Sequence, residues 1–293
     1  LNCKLVLLAR SKEKLQIVYG DELAGIDCLV QDVCAPIQND KKVDYIFHAA
    51  GNASPYYIIN DPVGIISANV QGTENILKFA QKNKPKNIVF ASTREIYGKI
   101  VDKTFIEECD MGVLDPLDPR NSYPESKRLA EALFVAYSNQ YDIPFNTLRI
   151  AHSYGPGMQL DGDGRVMSDF LADAVNERDI VLKSTGEAER AFCYISDAVS
   201  AIFKVLLEGE NREAYNVANE KEPIRLIDLA NLIQNIAGKN KSVKIEIENN
   251  KAAYTSYKRV ALSTKKIETL GWESKVKLRD GIKRTLISFG VEQ

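Results

Sequence analysis

The sequence is poor in the residues that build metal and disulfide sites. It holds two histidines and five scattered cysteines (Cys3, Cys28, Cys34, Cys109, Cys193) in 293 residues. No CxxC and no paired-histidine spacing occurs, so neither a disulfide framework nor a zinc centre is indicated and no metal is expected. No apolar run approaches the roughly 20 residues that span a bilayer, and no signal peptide is visible. Neither sign of charge is in excess: 38 Lys and Arg stand against 40 Asp and Glu, a net of −2, which argues against nucleic acid or a membrane surface as partner. Internal repeats and low-complexity tracts are absent too. What remains is an ordinary globular composition, 45% hydrophobic and 27% charged, with length for one core or two joined lobes. The expected compartment is the cytoplasm.

Short apolar runs alternate with amphipathic stretches. Leu5 to Ala9, Asp27 to Asp32, Val43 to Gly51, Asn87 to Thr93 and Pro144 to Ile150 read as strands, and Val63 to Lys82 as a helix. That alternation predicts a doubly wound parallel sheet whose ligands lie beyond the carboxyl ends of the strands, where Gly51, Thr93 and Gly98 fall. A dinucleotide-binding sheet opens with a strand, a glycine-rich turn and a helix, and no such turn precedes Leu5. The expectation is that roughly 25 to 35 residues of a βαβ unit are missing at the front; the alternative is a fold without that loop. Tyr154-Gly155-Pro156-Gly157 and Asp161-Gly162-Asp163-Gly164 turn the chain out of the sheet. The expected division is therefore a first lobe over 1–154 and a smaller substrate lobe over 155–293, with 195–218 returning to the first.

The centre of the chain is Asn121-Ser122-Tyr123-Pro124-Glu125-Ser126-Lys127. With helix from Pro124 onward, Tyr123 and Lys127 sit one turn apart on one face. An ammonium beside a phenol favours the phenolate, which would let Tyr123 take a proton from an alcohol far below its free pKa near 10. Thr93 could hold the alcohol oxygen. Spacing alone does not decide this, because Tyr254 and Lys258 repeat it and either pair could be a solvated helix face.

An ordered series lifts the first pair. His48-Ala49-Ala50, Asn69-Val70-Gln71-Gly72-Thr73, Ser92-Thr93 before Tyr97-Gly98, Tyr123 with Lys127, Arg149-Ile150, Tyr154-Gly155-Pro156, Arg190-Ala191-Phe192 before Asp197, and Leu270-Gly271-Trp272 together resemble the extended short-chain dehydrogenase/reductase family. That family contains NAD-dependent nucleotide-sugar epimerases, dehydratases and decarboxylases. Ala53-Ser54-Pro55 with Tyr57, Thr93-x-Glu95, Pro119-Arg120 ahead of Tyr123, Asp163-Gly164-Arg165-Val166 with Phe170, and Arg190 to Asp197 look most like UDP-glucuronate decarboxylases. Arg94, His152 and Gly157 depart from that pattern, where Ser, Asn and Arg are usual.

The resemblance implies roles. Thr93, Glu95, Tyr123 and Lys127 would be catalytic, acting through a 4-keto sugar. Arg10, Asp32, Ala49, Ala50, Gly51 and Asn69 would join Tyr123 and Lys127 in holding the cofactor. Ser54, Tyr57, His152, Arg165, Arg190 and Arg259 would bind the nucleotide sugar, the arginines as planar, permanently charged forks on phosphate. The implied cofactor is NAD, with NADP open because Arg10 could pair a 2′-phosphate. The implied assembly is a homodimer through helices equivalent to 69–82 and 126–141. The expected reaction is that of a lyase, decarboxylase before 4,6-dehydratase. Arg94 stands where the dTDP-glucose type of dehydratase carries an Asp, and Arg cannot donate a proton near pH 7. A 4-epimerase, or a non-catalytic nucleotide-binding member, is the alternative.

Overall fold

The computed structural model describes residues 3–100, 103–160, 162–238, 241–247 and 261–292. The chain opens with β1 (Val6–Ala9), α1 (Lys12–Tyr19), β2 (Asp27–Val30), β3 (Tyr45–His48), α2 (Pro55–Asn60), α3 (Pro62–Asn83) and β4 (Asn87–Thr93). It continues through β5 (Phe105–Ile106), α4 (Ser122–Tyr141), β6 (Phe145–Ile150), β7 (Ser153–Tyr154), α5 (Val166–Val175), β8 (Ile180–Leu182), β9 (Glu189–Arg190) and β10 (Cys193–Tyr194). α6 (Ile195–Glu208), β11 (Glu213–Val217), β12 (Ile224–Arg225), α7 (Leu226–Ala237), β13 (Val243–Ile245), β14 (Ala261–Leu262), α8 (Lys265–Glu268) and α9 (Leu278–Ser288) complete it. No helix among the described residues is long and apolar enough to cross a membrane.

A four-stranded sheet in the order β11-β6-β4-β3 is parallel throughout, and β1 with β2 forms a separate parallel pair. The sheet is covered on both sides because its strands alternate. In β4, Ile88 and Phe90 point into a cluster with Leu77 and Ala80 of α3 and Ala130 and Phe134 of α4. Val89 between them joins Ala198, Ala201 and Val205 of α6, with Tyr215, Val217 and Trp272, on the other face. β6 repeats the rule, Phe145 toward α4 and Leu148 toward α6. A near-continuous apolar strand therefore reads as one buried on both faces.

Beyond β7, a second core gathers Met167, Phe170 and Leu171 of α5, Leu229 and Ile233 of α7, and Leu278, Ile282 and Leu286 of α9 around Tyr154. Segment 195–217 lies against and within the sheet, since α6 packs on β4 and β11 pairs with β6. Residues 261–272 also reach back: β14 pairs with β5, and the indole of Trp272 donates to Asp197 O and Ser200 Oγ.

α4 begins at Ser122, two residues earlier than the sequence suggested. A 3-10 turn over Pro119–Asn121 runs directly into it. Pro124 is thus inside the first turn, where its missing N–H breaks no intrahelical bond.

Candidate active site

The carboxyl ends of β3 and β4 and the start of α4 converge. Thr93 ends β4, and its Oγ1 accepts from Glu95 N at 3.2 Å, capping the 3-10 turn Arg94–Tyr97. The Thr93 hydroxyl is also hydrogen-bonded to the phenol of Tyr123. Tyr123 is buried, its ring against Ile58 and Ile65 of α2 and α3. One turn on, buried Lys127 donates to Ala91 O at 2.8 Å, with its ammonium 4.6 Å from the Phe90 ring centre.

Lys127 does not draw the Tyr123 phenol below its ordinary pKa, as the Tyr-Lys spacing predicts; the shift runs upward. Burial raises the phenol most and the Glu95 charge raises it further, while the Thr93 hydrogen bond and the charges of Arg120 and Arg165 pull it down. A phenolate in so dry a place costs more than these neighbours return. Lys127 is itself affected: burial lowers it to about 8, opposed by the carboxylate of Glu131.

Glu95 faces Arg120 in a forked ion pair, Nη1 to Oε2 at 3.0 Å and Nη2 to Oε1 at 3.2 Å. Arg120 enters the sequence pattern only within Pro119-Arg120, with no role of its own. Its position three residues ahead of Tyr123 was the available signal. Arg165 pairs with the buried carboxylate of Asp163, whose carbonyl accepts from Ser54 Oγ at 2.7 Å. Ser54 and Arg165 are thereby tied to one loop, with Tyr57 exposed nearby on α2. Arg94 Nη1 lies 3.3 Å from His152 Nε2, and the His152 ring packs on Phe192. Arg190 lies on β9 in the second lobe, its Nη1 donating to Glu189 O. Arg259, with Tyr254 and Lys258, lies outside the described residues.

A cofactor cradle can be tested on the packing. Gly51 has φ +146°, and a Cβ there would come within 2.6 Å of Asn69 Oδ1 and 3.6 Å of Lys127 Nζ. Asn69 is wholly buried; its Nδ2 donates to Ser126 Oγ at 2.9 Å, and its Oδ1 has no hydrogen-bond partner. An orphaned acceptor and an ammonium beside a backbone that admits no side chain fit a hydroxyl-rich ligand such as a ribose. The loop Ala49-Ala50-Gly51 leads out of β3 at this point. Asp32, after β2, accepts from Cys34 N at 2.8 Å, and Arg10 lies 3.9 Å from its other oxygen. His48 is a packing group: it is buried, within 2.9 Å of Thr73 Oγ1, and burial depresses it to about 3, so it stays neutral. No cluster of His, Cys, Asp or Glu among the described residues could hold a metal ion.

A parallel α/β sheet with helices on both faces, and a tyrosine, lysine and threonine set at its carboxyl edge, defines the short-chain dehydrogenase class of architecture. Residues 3–218 match the NAD dependent epimerase/dehydratase family, and the chain is an enzyme of that family. Over 272 residues it is 35% identical to UDP-glucuronic acid decarboxylase 3 of Arabidopsis thaliana, covering 93% of this chain and 76% of that one. It is 32% identical to UDP-glucuronic acid decarboxylase 1 of Xenopus tropicalis, covering 92% and 61%. The fold is that of the solved UDP-glucose 4-epimerase of Thermotoga maritima, with TM-score 0.85 at 22% identity over 98% of this chain and 91% of that one. It also matches the dTDP-glucose 4,6-dehydratase of Bacillus anthracis solved with NAD, with TM-score 0.79 at 20% identity over 98% and 87%.

Proposed function

We propose that the protein is a nucleotide-sugar lyase that oxidises UDP-glucuronate at C4 and releases the C6 carboxylate as carbon dioxide. The observation that carries this reading is the hydroxyl pair of Thr93 and Tyr123 with a carboxylate, Glu95, two residues beyond the threonine. The identity to UDP-glucuronic acid decarboxylases over most of the chain supports the choice of sugar.

Bound NAD would supply the hydride acceptor for C4 and, once reduced, the donor that restores the C4 alcohol after carbon dioxide has left. Gly51, Asn69 and Lys127 would hold its ribose and Asp32 its adenosine end. Arg10, already facing Asp32, is not needed for a phosphate on this reading, which favours NAD over NADP. As the phenolate, Tyr123 would take the proton from the C4 hydroxyl, and Thr93 would align that hydroxyl through its own hydrogen bond. A ketone at C4 is β to the carboxylate on C5, so the C5 to C6 bond can break with its electrons passing toward the C4 oxygen. C5 then needs a proton, which Glu95, once released by Arg120, would relay from water. Ser54, Tyr57 and Arg165 would face the sugar, and His152, Arg190 and Arg259 the diphosphate. The two cores suggest the corresponding division of labour, cofactor on the sheet lobe and sugar nucleotide between it and the second.

Mass spectrometry after incubation of the full-length protein with NAD and UDP-glucuronate tests the reading. A UDP-pentose with one carbon dioxide released is the expected product. A dehydrated or isomeric product from a panel of UDP, GDP, CDP and dTDP sugars, with no carbon dioxide from UDP-glucuronate, would replace it with a dehydratase or an epimerase.

A further inference from the structure

Both oxygens of Glu95 are engaged by the Arg120 fork, which fixes the direction in which the carboxylate points. For Glu95 to turn toward a sugar carbon, Arg120 must be drawn away. Both side chains are about two-fifths exposed, so each is open to a ligand arriving from solvent. Each also stands within electrostatic reach of the Tyr123 phenol.

Arg165 is the other guanidinium acting on that phenol, but it is differently placed. Its partner Asp163 is buried, with 4% of its side chain exposed, and drawing Arg165 away would strand a carboxylate in the interior. Releasing Glu95 strands nothing in the interior, because its side chain is about two-fifths exposed to solvent. The backbone holds both members of the exchangeable pair in place. Thr93 Oγ1 caps the turn that carries Glu95, and Asp118 Oδ1 accepts from Arg120 N at 2.9 Å to cap the turn that carries Arg120. Exchange therefore needs only side-chain rotation.

We infer that Arg120 is the specificity residue for an acidic sugar: it leaves Glu95 for the sugar carboxylate, and the same exchange frees Glu95 for proton transfer at C5. This rests on the reading of the substrate as a nucleotide-linked uronate. A neutral sugar has nothing to offer the guanidinium, so Glu95 stays locked. The competition also keeps the hold on the carboxylate weak, which matters because a tight ground-state grip would oppose loss of carbon dioxide.

The test is isothermal titration of the full-length, NAD-saturated protein with UDP-glucuronate and with UDP-glucose, which differ at C6 alone. Arg120→Gln should weaken UDP-glucuronate roughly 10- to 100-fold, the range for a lost charge-assisted hydrogen bond, and leave UDP-glucose within about twofold. Glu95→Gln removes the competing charge without changing shape, so it should tighten UDP-glucuronate about three- to tenfold and leave UDP-glucose unmoved. Equal losses for both ligands in Arg120→Gln, or weaker UDP-glucuronate binding in Glu95→Gln, would overturn the inference. The Glu95 arm decides if the Arg120 variant fails to fold. Carbon dioxide release by the unmodified protein, measured alongside, separates the two levels: no release sinks the uronate reading itself, whereas release with symmetric binding losses sinks only the exchange.

Discussion

Tyr123 is buried, bonded to Thr93 and raised in pKa, so the phenol rests neutral and must lose its own proton before it can accept one from an alcohol. Tyr123→Phe should lower turnover by roughly 10²- to 10⁴-fold, the span for loss of a positioned proton acceptor, with an unchanged circular dichroism spectrum. Lys127 carries a cost in stability. Burial holds it at about 8 against an ordinary value of 10.5, a penalty on the order of 3 kcal/mol. Lys127→Met removes that penalty but forfeits the hydrogen bond to Ala91 O, so the variant should be more stable at pH 7 by about 1 to 2 kcal/mol. The unfolded chain binds the extra proton between the two pKa values, so unmodified protein gains stability as pH rises through that interval. The advantage of the variant should be full below pH 8 and gone near pH 10.5. Denaturant melts at pH 7 and pH 10 measure it, and an advantage that grows with pH would contradict the assignment.

At the scale of elements, several motif residues serve packing. Asp197, in the first turn of α6, accepts from the backbone N–H of Lys275 at 3.0 Å and of Val276 at 2.9 Å, and it is buried. It ties α6 to the segment leading into α9, which is a structural reason for its place after Arg190-Ala191-Phe192. Asp197→Ala should cost about 3 to 5 kcal/mol, two charge-assisted bonds with both donors left unpaired. A midpoint shift in urea unfolding gives the value, and a change under 1 kcal/mol would show the tie to be slack. Strands were legible in the sequence as short apolar runs, because a strand such as β4 buries Ile88, Val89 and Phe90 between two helix layers and keeps no polar face. The start of α4 was misread because a 3-10 turn carries no apolar period of its own. The Arg120 ion pair was illegible because nothing in a linear chain shows that residue 120 faces residue 95.

For the whole molecule, α3 and α4 pack on each other and on one face of the sheet, and keep Val63, Ile66, Leu129, Val135 and Tyr141 exposed. These apolar side chains, on the two helices named by the family resemblance, lead us to expect a homodimer. Sedimentation velocity at micromolar concentration should show a dimer, which Val135→Glu with Leu129→Glu should dissociate; a monomer before mutation would end the expectation. The family resemblance and the parallel α/β architecture came from the sequence alone, because short apolar runs, turn residues and an ordered set of motifs are properties of the chain's order. The tertiary structure alone decided that the Tyr123 phenol is raised rather than lowered, that Asn69 aims an unpaired oxygen at Gly51, and that Arg120 holds Glu95. Each of these depends on burial and on contacts between distant segments, and dielectric and distance are set only once the chain has closed on itself.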